Sequence, residues 1–241
     1  MTRYNLGLYY KLKENAYSWM QDRLRLFRQY TVPSMKNQTC KDYIWIIIYD
    51  KSTPIEQQLE ISELVPNNYF ISSDWPETKF HERKAELGDW KKKFVEYIQD
   101  KSEYAIMTRL DNDDTININF VKNVQNALLP YQDRDNIIVD FLEGCFYEEQ
   151  TGKCFLCNHT TGSPFISFVT KVTPTMDTVY RTSHREMCIH LKNRPLYVKC
   201  KHTNQIAWCE VIHGKNISNC VIPSMVYSEF NWNELKGQFG Q

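Results

Sequence analysis

The densest chemistry in this sequence lies at residues 104–115, Tyr-Ala-Ile-Met-Thr-Arg-Leu-Asp-Asn-Asp-Asp-Thr. Three carboxylates, Asp111, Asp113 and Asp114, fall within four positions, directly after an apolar run from Tyr104 to Met107. Carboxylates that close repel one another, and their proton affinity rises unless a cation shares them. Oxygen donors clustered at a strand's end suit a divalent metal ion. In open α/β sheets, ligands also bind at the carboxyl ends of the strands. The pattern points to metal-assisted chemistry on a phosphorylated, nucleotide-linked substrate. A solvated turn is the commoner origin of an isolated Asp-x-Asp. A calcium loop of the EF-hand type starting at Asp111 is excluded, because its sixth and twelfth positions should be Gly and Glu and are Ile116 and Lys122.

Other residues invite the same question. Asp50 ends a second apolar run, Tyr43 to Tyr49, although a lone Asp after a strand is more often a turn residue. Arg109 can contact phosphate through its planar fork or pair with Asp111. His213 stands at the end of an apolar segment before Gly214, where histidine serves as a metal ligand or a hydrogen-bonded structural residue. Cys154 and Cys157 form a Cys-x-x-Cys with Cys145 and His159 nearby. A zinc site is one reading. The stronger one is a hairpin around Thr151-Gly152, whose residues three apart point to opposite faces.

The elements that must position these groups read as follows. At 241 residues, with 42% hydrophobic and 14% aromatic residues, the chain is long enough for a substantial core. It is expected to form a single domain over 1–241, with a nucleotide-binding half over about 1–140 and an acceptor-side half over about 141–241. Twenty-nine basic residues balance 29 acidic ones, which argues against broad binding of nucleic acid. No apolar run approaches the ~20 residues of a membrane span, and no signal-peptide pattern opens the chain. The expected location is the cytoplasm, so the sequons at Asn37, Asn158 and Asn216 read as chance matches.

Strand and helix alternate through the first half. Strands are expected at 4–10, 43–49, 68–72, 104–110 and 137–142. A helix carries Met20, Leu24 and Phe27 until Pro33 breaks it and starts a second helical turn. A second starts with Thr53 as N-cap, Pro54 at N1 and Glu56 closing a capping box. Further helices carry Trp90 to Ile98 and Phe120 to Leu128. This alternation predicts an α/β fold with a mostly parallel sheet between helices. The second half reads as a hairpin at 146–157, strands near 165–170, 195–202 and 206–213, and a helix near 184–192.

Three segments carry a family resemblance. They are Ser34-Met-Lys-Asn-Gln-Thr39, the strand ending at Asp50, and Thr108-Arg-Leu-Asp-Asn-Asp-Asp114. Together they resemble the first half of a GT-A glycosyltransferase of the family-2 type, and more closely the rhamnosyl transferase family. Trp208-Cys-Glu-Val-Ile-His213-Gly-Lys-Asn216-Ile-Ser218 is similar to that family's Trp…His-Gly-x-Asn-x-Ser stretch, and the likeness runs over residues 20–220.

The resemblance implies a GT-A fold: a mostly parallel mixed sheet flanked by helices, with a Rossmann-like nucleotide-binding half and an acceptor half. It implies transfer of a sugar, rhamnose in the family's name, from a UDP- or dTDP-sugar to a glycan hydroxyl, with Mn²⁺ or Mg²⁺. Asp50 matches the acid that binds the nucleotide base. Asp111 matches the acid near ribose and metal. Asp113 matches the direct metal ligand, with Asp114 beside it, and His213 matches a histidine brought to the metal or diphosphate. Arg109 joins the nucleotide-binding set. For an inverting reaction the base falls in Ser183–Leu191, where Glu186 is the candidate and His184 and Glu143 are rivals. This stretch reads His-Arg-Glu where the family-2 pattern has Glu-Asp. Two alternatives stand beside this reading. A nucleotidyltransferase would want a glycine-rich loop after the first strand, where only Gly7 stands. The other is a nucleotide-sugar-binding module without catalysis.

Overall fold

A computed structural model describes residues 1–5, 16–65, 69–73, 89–160, 162–189, 196–200, 205–216 and 220–241. Its elements follow from the apolar patterning. β1 (Thr2–Arg3) is short, and residues 6–10 of the strand expected at 4–10 lie outside the described residues. α1 (Ala16–Leu26) buries Trp19, Met20 and Leu24. It runs on through a π-helical turn, Phe27–Thr31, into α2 (Val32–Lys36). Pro33 was expected to break this helix. The π-turn, closed by the Val32 N–H on Phe27 O, is followed directly by α2 with Pro33 in its first turn. There the missing N–H costs nothing.

β2 (Ile46–Asp50) begins later than expected and includes Asp50. α3 (Ile55–Leu64) has Pro54 at its N-cap and no side-chain cap. The expected capping box does not form, because the Thr53 hydroxyl donates to Asp50 O at 2.5 Å and accepts from Asn5 Nδ2 at 2.8 Å. β3 (Tyr69–Ser73), α4 (Trp90–Ile98), β4 (Tyr104–Thr108), β5 (Thr115–Ile116), α5 (Phe120–Leu128) and β6 (Ile137–Phe141) complete the first half. Then come β7 (Glu143–Glu148), β8 (Lys153–Asn158), β9 (Ser167–Lys171), α6 (His184–Ile189), β10 (Leu196–Cys200), β11 (Trp208–Ile212), β12 (Val226–Asn231) and α7 (Trp232–Leu235). The hairpin β7–β8 turns at Gly152, whose φ of 72° suits glycine. Its Cys154 and Cys157 point into different core clusters, so they do not form a shared zinc site.

The result is a mixed α/β architecture with three sheets. β1-β2-β3 is parallel throughout. β10-β6-β9-β4 combines a parallel β10–β6 pair with antiparallel pairs to β9. β12-β8-β7-β11-β5 is parallel only between β7 and β11. Met1 ties the first two sheets together. Its amino group donates to Thr108 O at 2.6 Å, and its carbonyl accepts from Leu110 N at 3.0 Å. Next to Met1, the segment before β2 and the strand β4 line a groove of about 570 Å³, with Tyr43, Ile44, Trp45, Tyr104 and Ile106 among its walls.

Trp208 joins the third sheet to the core. Its indole N–H donates to Phe141 O at 2.7 Å, and its ring stacks on Phe165 at 5.4 Å. It lies flat over Gly144, where a Cβ would come within 2.2–2.4 Å of the indole. Gly144→Ala should therefore lower stability by about 3 kcal/mol, the upper range for overpacking, as read by urea unfolding. A loss under 0.5 kcal/mol would show that the indole can move aside.

Candidate active site

β1, β2 and β4 bring their carboxyl ends together. Asn5, just past β1, accepts from Asp50 N at 2.9 Å, and Asn112 donates from Nδ2 to Tyr4 O at 2.6 Å. The short β1 thus links the end of β2 to the acidic turn after β4. Asp50 is buried, with Oδ1 accepting from Ser52 N at 2.9 Å and Ser52 Oγ at 2.6 Å. Its Oδ2 is also buried and has no hydrogen-bond partner. A buried carboxylate oxygen left unpaired is costly, and it presents an acceptor to an N–H donor.

The acids of the turn part company. Asp113 is buried, its Oδ2 shared between the Arg23 guanidinium from α1 and His213 Nε2 at 3.0 Å. Arg23 also reaches Asn112 Oδ1 at 3.3 Å and lies 5.0 Å from the Trp19 ring. Asp114 turns inward, and its Oδ1 accepts from Val211 N at 2.9 Å. Burial, followed by the charges of Asp113, Glu210 and Asp111, raises its proton affinity well above the ordinary carboxylate. Asp111 is partly exposed and pairs with Arg109 Nη2 at 3.4 Å. Burial opposes its ionisation, but Arg109 and Arg3 outweigh that and hold its pKa low. Both arginines lie over the buried Tyr180 ring, at 4.4 Å for Arg3 and 5.7 Å for Arg109. Arg109 therefore pairs with Asp111, as one of its two expected roles requires.

The second half closes the cluster through β11. β5 pairs antiparallel with β11, Trp208 opposite Ile116 and Cys209 opposite Thr115. This carries the chain past the acidic turn to His213, whose side chain is 2% exposed. The Asn216 side chain clips the turn that holds it, accepting from His213 N at 2.7 Å and donating to Val211 O at 2.9 Å. Gly214 takes φ 72° there. Each residue of His213-Gly214-x-Asn216 thus has a geometric job.

Glu186 is exposed at the first turn of α6. Its Oε2 accepts from the Thr182 hydroxyl, from Ser183 N at 3.2 Å and from Ser183 Oγ at 2.9 Å, while Glu186 N donates to Ser183 Oγ at 3.3 Å. These are the bonds of a capping box. Glu143, the other carboxylate rival, starts β7.

Sequence reasoning missed Glu210 and Arg23. Glu210 is buried in β11 beside the acids. Burial, then Asp111 and Asp113, push its pKa up to about 7. Its signal was a lone acid inside the apolar strand Trp208–Ile212. Arg23 lies between Met20 and Phe27 on the buried stripe of α1, a position where a charge needs a partner. Among the described residues no three His, Cys, Asp or Glu side chains converge in a ready metal cage. The donor set of carboxylates and imidazole nevertheless suits a divalent cation, and Glu210 carries repulsion that such a cation would relieve.

An α/β protein with a cluster of carboxylates at its strand ends is the class that fold and site define. The family model described as "Putative rhamnosyl transferase" matches residues 13–224 of the 241, and the chain belongs to that family. A search of curated proteins found no match to the chain. Among the described residues no helix is long and apolar enough to cross a membrane.

Glu210 yields a signed prediction. Its pKa is about 7 in the folded protein against an ordinary 4.5, so between those values the native state holds more protons than the unfolded chain. The Glu210 contribution is therefore most favourable below pH 4.5 and is lost as pH rises towards 7 and beyond. In metal-free protein, Glu210→Gln should gain stability relative to wild type on going from pH 5 to pH 8, by roughly 2 kcal/mol. Urea unfolding at the two pH values checks it, and a difference that shrinks with pH would reverse the assignment.

Proposed function

We propose that this protein is a metal-dependent glycosyltransferase of GT-A type. It would move a sugar, rhamnose by the family's name, from a UDP- or dTDP-sugar to a glycan hydroxyl. One observation carries the reading: Asp113 from the β4 end and His213 from the β11 end meet at 3.0 Å, with Asp50 and its unpaired buried oxygen at the end of β2. The family supports the transfer chemistry. The parallel pairing of β1, β2 and β3, with Met1 bonded alongside β4, is consistent with a nucleotide-binding half whose strands run mostly parallel.

On this reading Asp50 Oδ2 accepts from the N–H of a pyrimidine base. Asp111, with Arg109, lies at the ribose and phosphate, and Asp113 with His213 would hold Mn²⁺ or Mg²⁺. A bound divalent ion would neutralise charge on the departing diphosphate. Arg23 already offsets Asp113, so it would share that carboxylate or yield it to the ion. Asp114, its Oδ1 accepting from Val211 N, acts as a strut between the acidic turn and β11.

Two variants test the proposal. Asp113→Asn should cut Mn²⁺-dependent donor turnover about 10²-fold or more, the scale for losing one electrostatic stabiliser. Because Asp113 is buried against Arg23, the same change should cost roughly 3 kcal/mol of stability, as when one partner of a buried ion pair is removed. Near-normal metal-dependent turnover would remove Asp113 from the ligand set. Asp50→Ala should weaken UDP or dTDP binding by about 1–3 kcal/mol in calorimetric titration. Equal affinity in both proteins would place the base elsewhere.

A further inference from the structure

Away from the acid cluster, buried polar chemistry concentrates at Asp140 in β6. Its side chain is fully buried, and both oxygens are used. Gly162 N donates to Oδ2 at 2.9 Å, Ser163 N to Oδ1 at 3.1 Å and to Oδ2 at 3.3 Å, and the Tyr197 hydroxyl from β10 donates to Oδ2. A carboxylate engaged in this way by two backbone N–H groups and a hydroxyl holds a loop in place.

That loop runs to the candidate site. From Ser163 the chain enters β9, whose Ser167 pairs with Thr108 of β4, and Ile166 O accepts from Arg109 N at 3.2 Å. Residues 162–166 therefore pass the carboxyl end of β4, where the acidic turn begins. Gly162 takes φ 70°, and a Cβ there would come within 3.0 Å of Arg185 Cα and 3.2 Å of His184 O. Only glycine lets the start of α6 approach so closely. Gly162 O then meets His184 Nδ1 at 2.8 Å.

A carbonyl oxygen can only accept, so Nδ1 carries the proton. In a neutral imidazole the other nitrogen, Nε2, is then a bare lone pair. It has no hydrogen-bond partner among the described residues. The ring lies within electrostatic reach of Arg109 and Asp111. Burial first, and Arg109 second, hold the His184 pKa below that of an ordinary histidine, which keeps the ring neutral near pH 7.

We infer, resting on the glycosyl-transfer reading above, that His184 Nε2 takes the acceptor hydroxyl's proton, and that Asp140 is the positioning residue that fixes its tautomer through Gly162 and Ser163. In an inverting transfer the acceptor oxygen bonds to the anomeric carbon and its proton passes to Nε2. The bond from the anomeric carbon to the diphosphate oxygen breaks, and its electron pair leaves on the diphosphate. Glu186 then serves the helix that carries the base, its capping box holding the first turn of α6 where His184 stands.

The test begins with long-range ¹H–¹⁵N spectra of the labelled protein at pH 7.5. His184 is expected with Nδ1 protonated and Nε2 bare; the opposite tautomer overturns the inference. Asp140→Asn exchanges one acceptor oxygen for a donor, so the Nδ1–H population should fall, with transfer slowed about tenfold and donor KM unchanged. His184→Asn keeps an amide donor for Gly162 O but has no base. Transfer from UDP- and dTDP-sugars to a panel of p-nitrophenyl glycosides should fall about 10²-fold or more, with donor KM within about twofold of wild type. Glu186→Gln can still close the cap and should transfer far faster than His184→Asn. The reverse order of these two variants assigns the base to Glu186 and overturns the inference. If wild-type protein transfers to no acceptor in the panel, the glycosyl-transfer reading fails and the base role fails with it. The tautomer spectra still decide whether Asp140 tethers the ring.

Discussion

Four carboxylates, those of Asp111, Asp113, Asp114 and Glu210, stand so close that, on top of burial, the charges of the others raise the proton affinity of Asp114, and those of Asp111 and Asp113 that of Glu210, and the fold around them answers that repulsion. Each is answered differently. Asp113 takes a guanidinium and an imidazole. Asp111 takes Arg109, with Arg3 behind it. Asp114 takes a backbone N–H and a raised proton affinity. Glu210 is left with the least and titrates near 7. The compensating groups come from α1, β1, β4 and β11, so these elements must meet for the cluster to be tolerable. Burial of like charges in a low-dielectric interior is too unfavourable to be left unmatched. The same arrangement leaves the cluster receptive to further positive charge.

The acidic turn, the strand ending at Asp50 and the His213-Gly214 segment were legible because each joins an apolar run to a polar group, a change that spacing alone reveals. Element types were legible for the same reason: Trp90–Ile98 and Phe120–Leu128 carry helical periodicity, and Ile137–Phe141 is an apolar strand interrupted only by Asp140. What the pattern could not give was pairing. β5 is two residues long and β12 alternates weakly, yet both are held by their neighbours in the third sheet. The capping box at Thr53 failed because a tertiary contact, Asn5 at the end of β1, took the hydroxyl. Pro33 was absorbed because the preceding turn widened. Arg23 and Glu210 were hidden in plain sight: each is a charge on an otherwise apolar face, and only the tertiary structure shows that they answer the same cluster.

The two halves of the sequence are interleaved at this site. Thr31 of the first helical rod donates to Asp114 O at 2.8 Å, and Val211 holds the same residue's side chain from the other side. Asn117 joins them again, its N–H donating to Ala207 O at 2.9 Å and its side chain to Ile206 O at 2.9 Å. Direct hydrogen bonds thus join β11 and the segment before it to the turn after β4.

Met1 has a practical consequence for handling the molecule. Burial pulls its amino group down to a pKa of about 5, although it donates to Thr108 O. An amide N–H at that nitrogen would keep the hydrogen bond without a titrating group. Any polypeptide fused there would leave Met1 alongside the groove flanked by Ile44 and Ile106, which are 50% and 46% exposed. A segment added at Met1 would therefore begin beside an apolar groove, with Met1 itself bonded to Thr108 and Leu110 at the approach to the acidic turn.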